Sequence, residues 1–205
     1  MPHIPTVELA TRNDLPDILD VYFNAFSGPS FTSIFPVGPS FDYHKRAWGT
    51  FLGVYERIPG MQECKIFVIR DTDGKVKSAA LIWIIRPEDR GFKSWQHRWP
   101  DAFPGMNWDT LRAFYEGMGS QHHAVMADKE HIYLEIIMTH SSARKQGHAS
   151  ALLAKSTALA DELGYATYLD ADEGAMGLYT KHGFAYRDDV ERTSVMFPMV
   201  RGKQT

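Results

Sequence analysis

The ten residues HIYLEIIMTH, from His131 to His140, are mostly β-branched or aromatic, and a polar loop, SSARKQGHAS, follows them at once. Beyond the loop, Ala149, Leu152, Leu153, Leu159, Ala160 and Leu163 recur on one helical face until Gly164 offers a C-cap. This is a strand, a polar loop and a helix. A further strand in YATYLDAD, a short helix in EGAMGLYTKHG and a last strand pair in FAYRDD and SVMFPMV complete an α/β pattern over this half of the chain.

The preceding half fits the same class. Val7 and Leu9 alternate with Thr6 and Glu8 as in a strand, and in TRNDLPDILDVYFNAF Asp14 is placed to cap a helix that Pro16 opens. Leu15, Ile18, Leu19, Tyr22, Phe23 and Phe26 give that helix its apolar face. Gly28 to Ser40, rich in Pro, Gly and Phe, reads as a loop, and Trp48, Phe51, Leu52 and Tyr55 predict a second helix from Phe41 that Pro59-Gly60 ends. CKIFVIRD and VKSAALIWII flank an Asp-Gly turn, the signal of a hairpin. Arg86 to Gly105 mixes tryptophans with arginines and prolines and reads as a long loop or insertion; a helix weakened by Gly117 and Gly119 then spans Trp108 to about Met126. The expected architecture is one domain over residues 1–205 with a mixed, mostly antiparallel sheet of about seven strands flanked by helices. Its order is β-α-α-β-β-β-α-β-α-β-β, with an insertion over 86–130 before the fourth strand, a candidate lid for an acceptor site.

The loop carries chemistry. Ser141, Ser142, Arg144, Lys145, Gln146 and Gly147 stand where a helix starts, so unpaired N–H groups, the positive end of the helix dipole and two cations coincide. That combination suits a phosphate. A side chain at 147 would keep the backbone from a pyrophosphate, and small Ala149 leaves the first turn open. A P-loop is absent, because the chain has no G-x-x-x-x-G-K-[ST].

Arg144-Lys145-Gln146-Gly147-His148-Ala149 resembles the R/Q-x-x-G-x-G/A acetyl-CoA signature of the GNAT superfamily of acetyltransferases, and Tyr179-Thr180-Lys181-His182-Gly183-Phe184 resembles that family's later Y-x-x-x-G-F element. The resemblance runs from Val7 to about Val200. VELATRNDLPDI, the insertion and HIYLEIIMTH look most like the subgroup that contains puromycin N-acetyltransferase and its fungal relatives.

The resemblance implies acetyl-CoA as co-substrate, with its pantetheine beside Ile137, Met138 and Thr139. Its pyrophosphate would meet the loop from Arg144 through Lys145, Gln146, Gly147, His148 and Ala149 to Ser150. An N–H near Ile137 would then polarise the thioester carbonyl. Tyr179 resembles the family's tyrosine that protonates the leaving thiolate. Glu135 is the candidate base on the residues themselves. Alternation puts Glu135, Ile137 and Thr139 on one strand face and Leu134, Ile136 and Met138 on the other. A charge inside so apolar a strand is a base, an arginine's partner or a solvated strand end. Asp170 and Asp172 are candidates for binding a cationic acceptor or holding a water relay, the alternative again being a solvated strand end. Phe26, Phe31, Phe35 and Trp83 are candidates for the acceptor's apolar surroundings, with Trp95 and Trp99 extending the roof.

Other chemistries fit less well. Lys plus Arg at 22 against Asp plus Glu at 25 gives a net charge of -3 with no basic stripe, which argues against nucleic acid as a partner. The longest apolar run, Ala79 to Ile85, is far short of the ~20 residues that span a bilayer, and Met1 to Ala10 does not read as an export signal. Nine histidines contain neither H-E-x-x-H nor an i, i+4 pair, so no metal is expected, and G-x-S-x-G is absent. Cys64 stands alone, which suits a cytoplasmic protein. The reading is an N-acetyltransferase acting on a small-molecule amine, as a monomer or homodimer without a membrane partner. The alternatives are a protein or peptide N-acetyltransferase and a non-catalytic acyl-CoA-binding module.

Overall fold

The Asp-Gly turn joins two long antiparallel strands of the sheet as a hairpin. Gly74 takes φ 78°, and the Asp71 carboxylate accepts the N–H groups of Asp73 (3.0 Å) and Lys75 (2.9 Å). In a computed structural model, which describes residues 5–26, 28, 32–34, 63–86, 88, 95 and 106–204, β2 spans Glu63–Arg70 and β3 spans Val76–Ile85. β1, Glu8–Leu9, lies against β2, and β4, His131–Thr139, against β3. β5 (Ala166–Ala171), β6 (Ala185–Tyr186) and β7 (Phe197–Arg201) complete one seven-stranded sheet in the order β1-β2-β3-β4-β5-β7-β6. Among the described residues only the β4–β5 pair is parallel, as a strand–helix–strand crossover requires.

Four α-helices lie among the described residues: α1 Leu15–Ala25, α2 Trp108–Met126, α3 His148–Leu163 and α4 Met176–Lys181. The expected helix after Phe41 lies outside the described residues, as do Phe31, Phe35 and Trp99. β3 is buried on both faces, which is why its sequence is a continuous apolar run and not an alternation. Ala79, Leu81, Trp83 and Ile85 pack with α1 and α2, through Ile18, Tyr22, Leu111 and Tyr115. Ala80 and Ile82 pack on the opposite face with Leu152, Leu153 and Ala160 of α3 and Tyr179 of α4. Burying each of the larger side chains contributes ~1.5–3 kcal/mol.

Two local expectations are corrected. Asp14 precedes α1 without capping it through its side chain. A 3-10 turn over Arg12–Asp14 comes first, and the carboxylate turns back to the N–H of Thr11 (2.7 Å) and to Arg70 of β2, whose Nη1 and Nη2 approach at 2.5 and 2.7 Å. Gly117, read as a weak point of α2, is needed there. A Cβ at 117 would stand 2.4 Å from the Thr193 carbonyl oxygen, and the Thr193 hydroxyl donates to the Gly117 carbonyl at 2.7 Å. The bare helix surface admits the β6–β7 connection.

Candidate active site

β4 and β5 part company early. Their ladder holds His131 to Ala166, Ile132 to Thr167 and Tyr133 to Tyr168, after which β4 continues along β3 alone and β5 along β7. A wedge opens between two parallel strands whose backbone edges face one another. At the same level β4 carries a bulge, since Leu81 opposes Ile136 while Ile82 opposes Leu134, and Glu135 is left over.

The bulge overturns the strict alternation expected for this strand. Leu134 and Ile137 pack on the α3 face, and Tyr133, Ile136 and Met138 on the α2 face. One extra residue reverses the facing of everything after it. Glu135 is half-buried, and the indole N–H of Trp83 donates to its Oε2. Among the described residues, a tryptophan from the neighbouring strand is thus one of its partners. Trp83 itself is 2% exposed, and Phe26, half-buried at the end of α1, lies against Tyr22. Trp95 is buried and stacks on Tyr115 of α2 at 5.3 Å.

The wedge opens towards the start of α3. Gly147 holds φ 82° as its N-cap, Lys145 two residues before it also has positive φ at 62°, and the first helical bond runs from the Ala151 N–H to the Gly147 carbonyl at 3.0 Å. The N–H groups of His148, Ala149 and Ser150 therefore have no acceptor within the helix. They line a cleft of about 310 Å³ with Thr139, Arg144, Lys145 and, from α4, Leu178. A Cβ on Gly147 would meet nothing within 4 Å, so the positive φ, not crowding within the protein, dictates glycine, and the space above it belongs to the cleft. His148 is tied to β3 by a 2.8 Å bond to Ser78 Oγ, and burial lowers its pKa. Asn24 of α1 accepts the Ser141 N–H at 2.6 Å, and Gln146 reaches back to the Ser142 carbonyl at 3.3 Å. A larger open cleft of about 770 Å³ adjoins on the hairpin side, but its cations are committed, Arg70 to Asp14 and Glu8 and Lys77 to Asp71. An anion is better served by the backbone N–H groups of α3.

Tyr179 approaches from α4. It is 6% exposed, lies edge-on to Phe184, and its hydroxyl pKa is pushed up to about 12 by burial and then by the charge of Asp172. A tyrosine so placed keeps its proton over the whole physiological range. Asp172 is exposed and accepts the Gly174 N–H at 2.9 Å, capping the 3-10 turn before α4.

Asp170 is not a solvated strand end. Its carboxylate accepts the Gln121 side-chain amide at 2.5 Å and the hydroxyls of Tyr168 at 2.7 Å and Tyr133 at 2.9 Å. Burial pushes its pKa up to about 6 against these three bonds, and the charge of Glu135 adds to the rise. Gln121, Tyr133 and Tyr168 were not singled out from sequence. Only Gln121 left a signal, a polar residue on the apolar face that Met118 and Val125 define. Cys64, its thiol held protonated by burial, adds no nucleophile. Among the described residues no cluster of His, Cys, Asp and Glu could hold a metal, and no helix is long and apolar enough to cross a membrane.

Residues 41–184 match the model of the acetyltransferase (GNAT) family. No curated protein matches the chain. Among solved structures, a protein from Corynebacterium glutamicum described as histone acetyltransferase HPA2 and related acetyltransferase is 25% identical, with 99% of this chain and 98% of that one covered and a TM-score of 0.63. Arylalkylamine N-acetyltransferase 2 from Aedes aegypti shares the fold at 14% identity, 98% and 99% coverage and a TM-score of 0.65. So does the PaiA N-acetyltransferase from Thermoplasma acidophilum, solved in complex with coenzyme A, at 10% identity, 97% and 99% coverage and a TM-score of 0.56.

Proposed function

Because the chain belongs to the acetyltransferase (GNAT) family, we propose that it is an acetyl-CoA-dependent N-acetyltransferase whose acceptor is the amine of a small molecule. The observation that carries this reading is the β4–β5 wedge, open from Tyr133 and Tyr168 onward and leading to the N–H groups of His148, Ala149 and Ser150, which have no acceptor within the helix. Backbone edges suit an extended pantetheine, and a helix start flanked by Arg144 and Lys145 suits a pyrophosphate. Ile137, Met138 and Thr139 contribute their backbone, and Gln146 and Gly147 the turn between.

Glu135, oriented by Trp83, accepts the proton that the acceptor's ammonium must lose, directly or through water, and the freed nitrogen attacks the thioester carbon. A backbone N–H near Ile137 supports the oxyanion, and Tyr179 returns a proton to the thiolate. Phe26 and Trp83, with Phe31, Phe35, Trp95 and Trp99 of the 86–130 insertion and the preceding loop, are assigned to the apolar side of the acceptor site. The likeness in VELATRNDLPDI and HIYLEIIMTH supports placing the chain near puromycin N-acetyltransferase, as a cytoplasmic monomer or homodimer.

The 25% likeness to a protein described as a histone acetyltransferase supports a second reading, transfer to a protein or peptide amine. CoA release measured with acetyl-CoA against aminonucleosides, arylalkylamines, polyamines and lysine peptides separates the two. Turnover confined to lysine peptides would sink the small-molecule reading. Acetyl-CoA binding without CoA release from any acceptor would leave a binding module.

A further inference from the structure

Asp170 and Glu135 stand on opposite walls of the same wedge, each two residues beyond the last pair of the β4–β5 ladder, Tyr133 with Tyr168. Among the described residues everything that bonds Asp170 is neutral, Gln121, Tyr133 and Tyr168, and the charge that acts on it is the negative one of Glu135. The facing groups are Gln121 and His122 on α2, Tyr133 and Glu135 on β4 and Tyr168 on β5; its partner on β7 is Pro198, which does not titrate. None of these is a lysine or arginine.

A carboxylate set among aromatic rings is costly when its charge is not matched, because neutral donors fix its position without cancelling its charge. Gln121 shows that this cost is built in. Both groups its Nε2 meets, Asp170 Oδ1 at 2.5 Å and the Met196 carbonyl at 3.2 Å, are acceptors, so the amide is turned donor-first. Its Oε1 is consequently buried with no partner among the described residues. The protein gives up one hydrogen bond to hold Asp170 in place as an anion, and among the described residues no lysine or arginine pairs with it.

We propose that Asp170 is the anchor for the positively charged ammonium of the acceptor, with Gln121, Tyr133 and Tyr168 as its positioning residues, so that the enzyme selects amines that arrive protonated. The inference rests on the acetyl-transfer reading and adds the substrate class: strongly basic alkylamines, not weakly basic arylamines. The ammonium lies between two carboxylates with different tasks. Asp170 holds it, while Glu135 takes one proton as the N–H bond breaks and the nitrogen pair is released to attack.

The test compares 2-phenylethylamine, a cation at pH 7.5, with 4-methoxyaniline, neutral at that pH, on wild type and Asp170→Asn. Asp170→Asn should lower kcat/KM for 2-phenylethylamine by at least roughly 30-fold, the lower end of the scale of losing one partner of a desolvated charge pair, with KM carrying most of the change. The arylamine should be nearly unaffected, and the ratio of the two acceptors is insensitive to any loss of folded protein. Tyr133→Phe should shift the same ratio in the same direction by less. Equal losses for both acceptors would make Asp170 structural and overturn the proposal, as would no loss for either. Calorimetric binding of 2-phenylethylamine to the CoA-loaded protein separates this from the parent reading. Binding that Asp170→Asn abolishes, in a protein that releases no CoA, sinks acetyl transfer and keeps the anchor; equal binding by both proteins removes the anchor.

Discussion

The indole N–H of Trp83 on β3 is donated to Glu135 at the bulge of β4, so the residue that pairing with β3 leaves over is held by a side chain from that same strand. Glu135 is thereby fixed at the mouth of the wedge. Glu135→Gln keeps an acceptor for the indole and removes the place for a proton. Its kcat/KM should fall roughly 100-fold near pH 7 and recover as the pH climbs towards the ~10.4 of an alkylammonium, where free amine is abundant. A profile parallel to wild type from pH 6 to 9 would return Glu135 to a structural role.

Tyr179 is held protonated, with its pKa pushed up to about 12, so it contributes no basic limb to the pH profile below pH 9. Tyr179→Phe should lower kcat by roughly 10–1,000-fold while acetyl-CoA affinity is nearly unchanged. Calorimetry beside steady-state kinetics checks both halves of that statement.

At Gly147 two substitutions separate backbone from ligand. Gly147→Ala strains the turn at φ 82° by roughly 1–2 kcal/mol and should lower Tm, because the positive φ disfavours any Cβ. Gly147→Glu adds to the same strain a long anion in the cleft over the His148 and Ala149 amides. It should unfold no more readily than Gly147→Ala, yet lose acetyl-CoA binding altogether. Matching affinities for the two variants would move the pyrophosphate elsewhere.

The pH dependence of stability should show two opposite slopes. Arg70 holds the Asp14 carboxyl at about 2, below its usual 3.8; a depressed carboxyl stabilises the fold above pH ~4, and that contribution is lost as pH falls through 2. Asp170, raised to about 6, does the reverse: its stabilisation is complete below 3.8 and is lost as pH rises through 6. Urea denaturation at pH 2–7 should find Asp14→Asn flattened at the acid end. Asp170→Asn should gain on wild type between about pH 4 and 6.

Most of the architecture is legible in the chain because it is local. The Asp-Gly turn, Asn107 capping α2 and Gly164 closing α3 at φ 68° each act over a few residues, and the strands and helices they bound stand where periodicity places them. What escapes is set by partners far along the chain. The bulge at Glu135 exists only against β3, and alternation within β4 contains no trace of it. Asp14 is drawn from the start of α1 by Arg70, 56 residues away. Gly117 is explained by Thr193, and Asp170 by Gln121, 49 residues before it. Side chains that a sequence presents as caps, weak points or strand ends become specific through such distant neighbours.

Among the described residues, three backbone ladder pairs join the first four strands to the last three. Mechanically the sheet is two leaves whose backbones are sewn by a short seam at one end, with the Tyr133 hydroxyl tied across to Asp170 just beyond it. A ligand that lies in the opening as a further strand would act as thread, and amide exchange along 134–139 should slow when acetyl-CoA is present. The empty protein should breathe along that line, so heat or denaturant would part the leaves there before either leaf frays. Binding energy at this seam would then be read twice, once as affinity and once as the stiffness of the whole sheet.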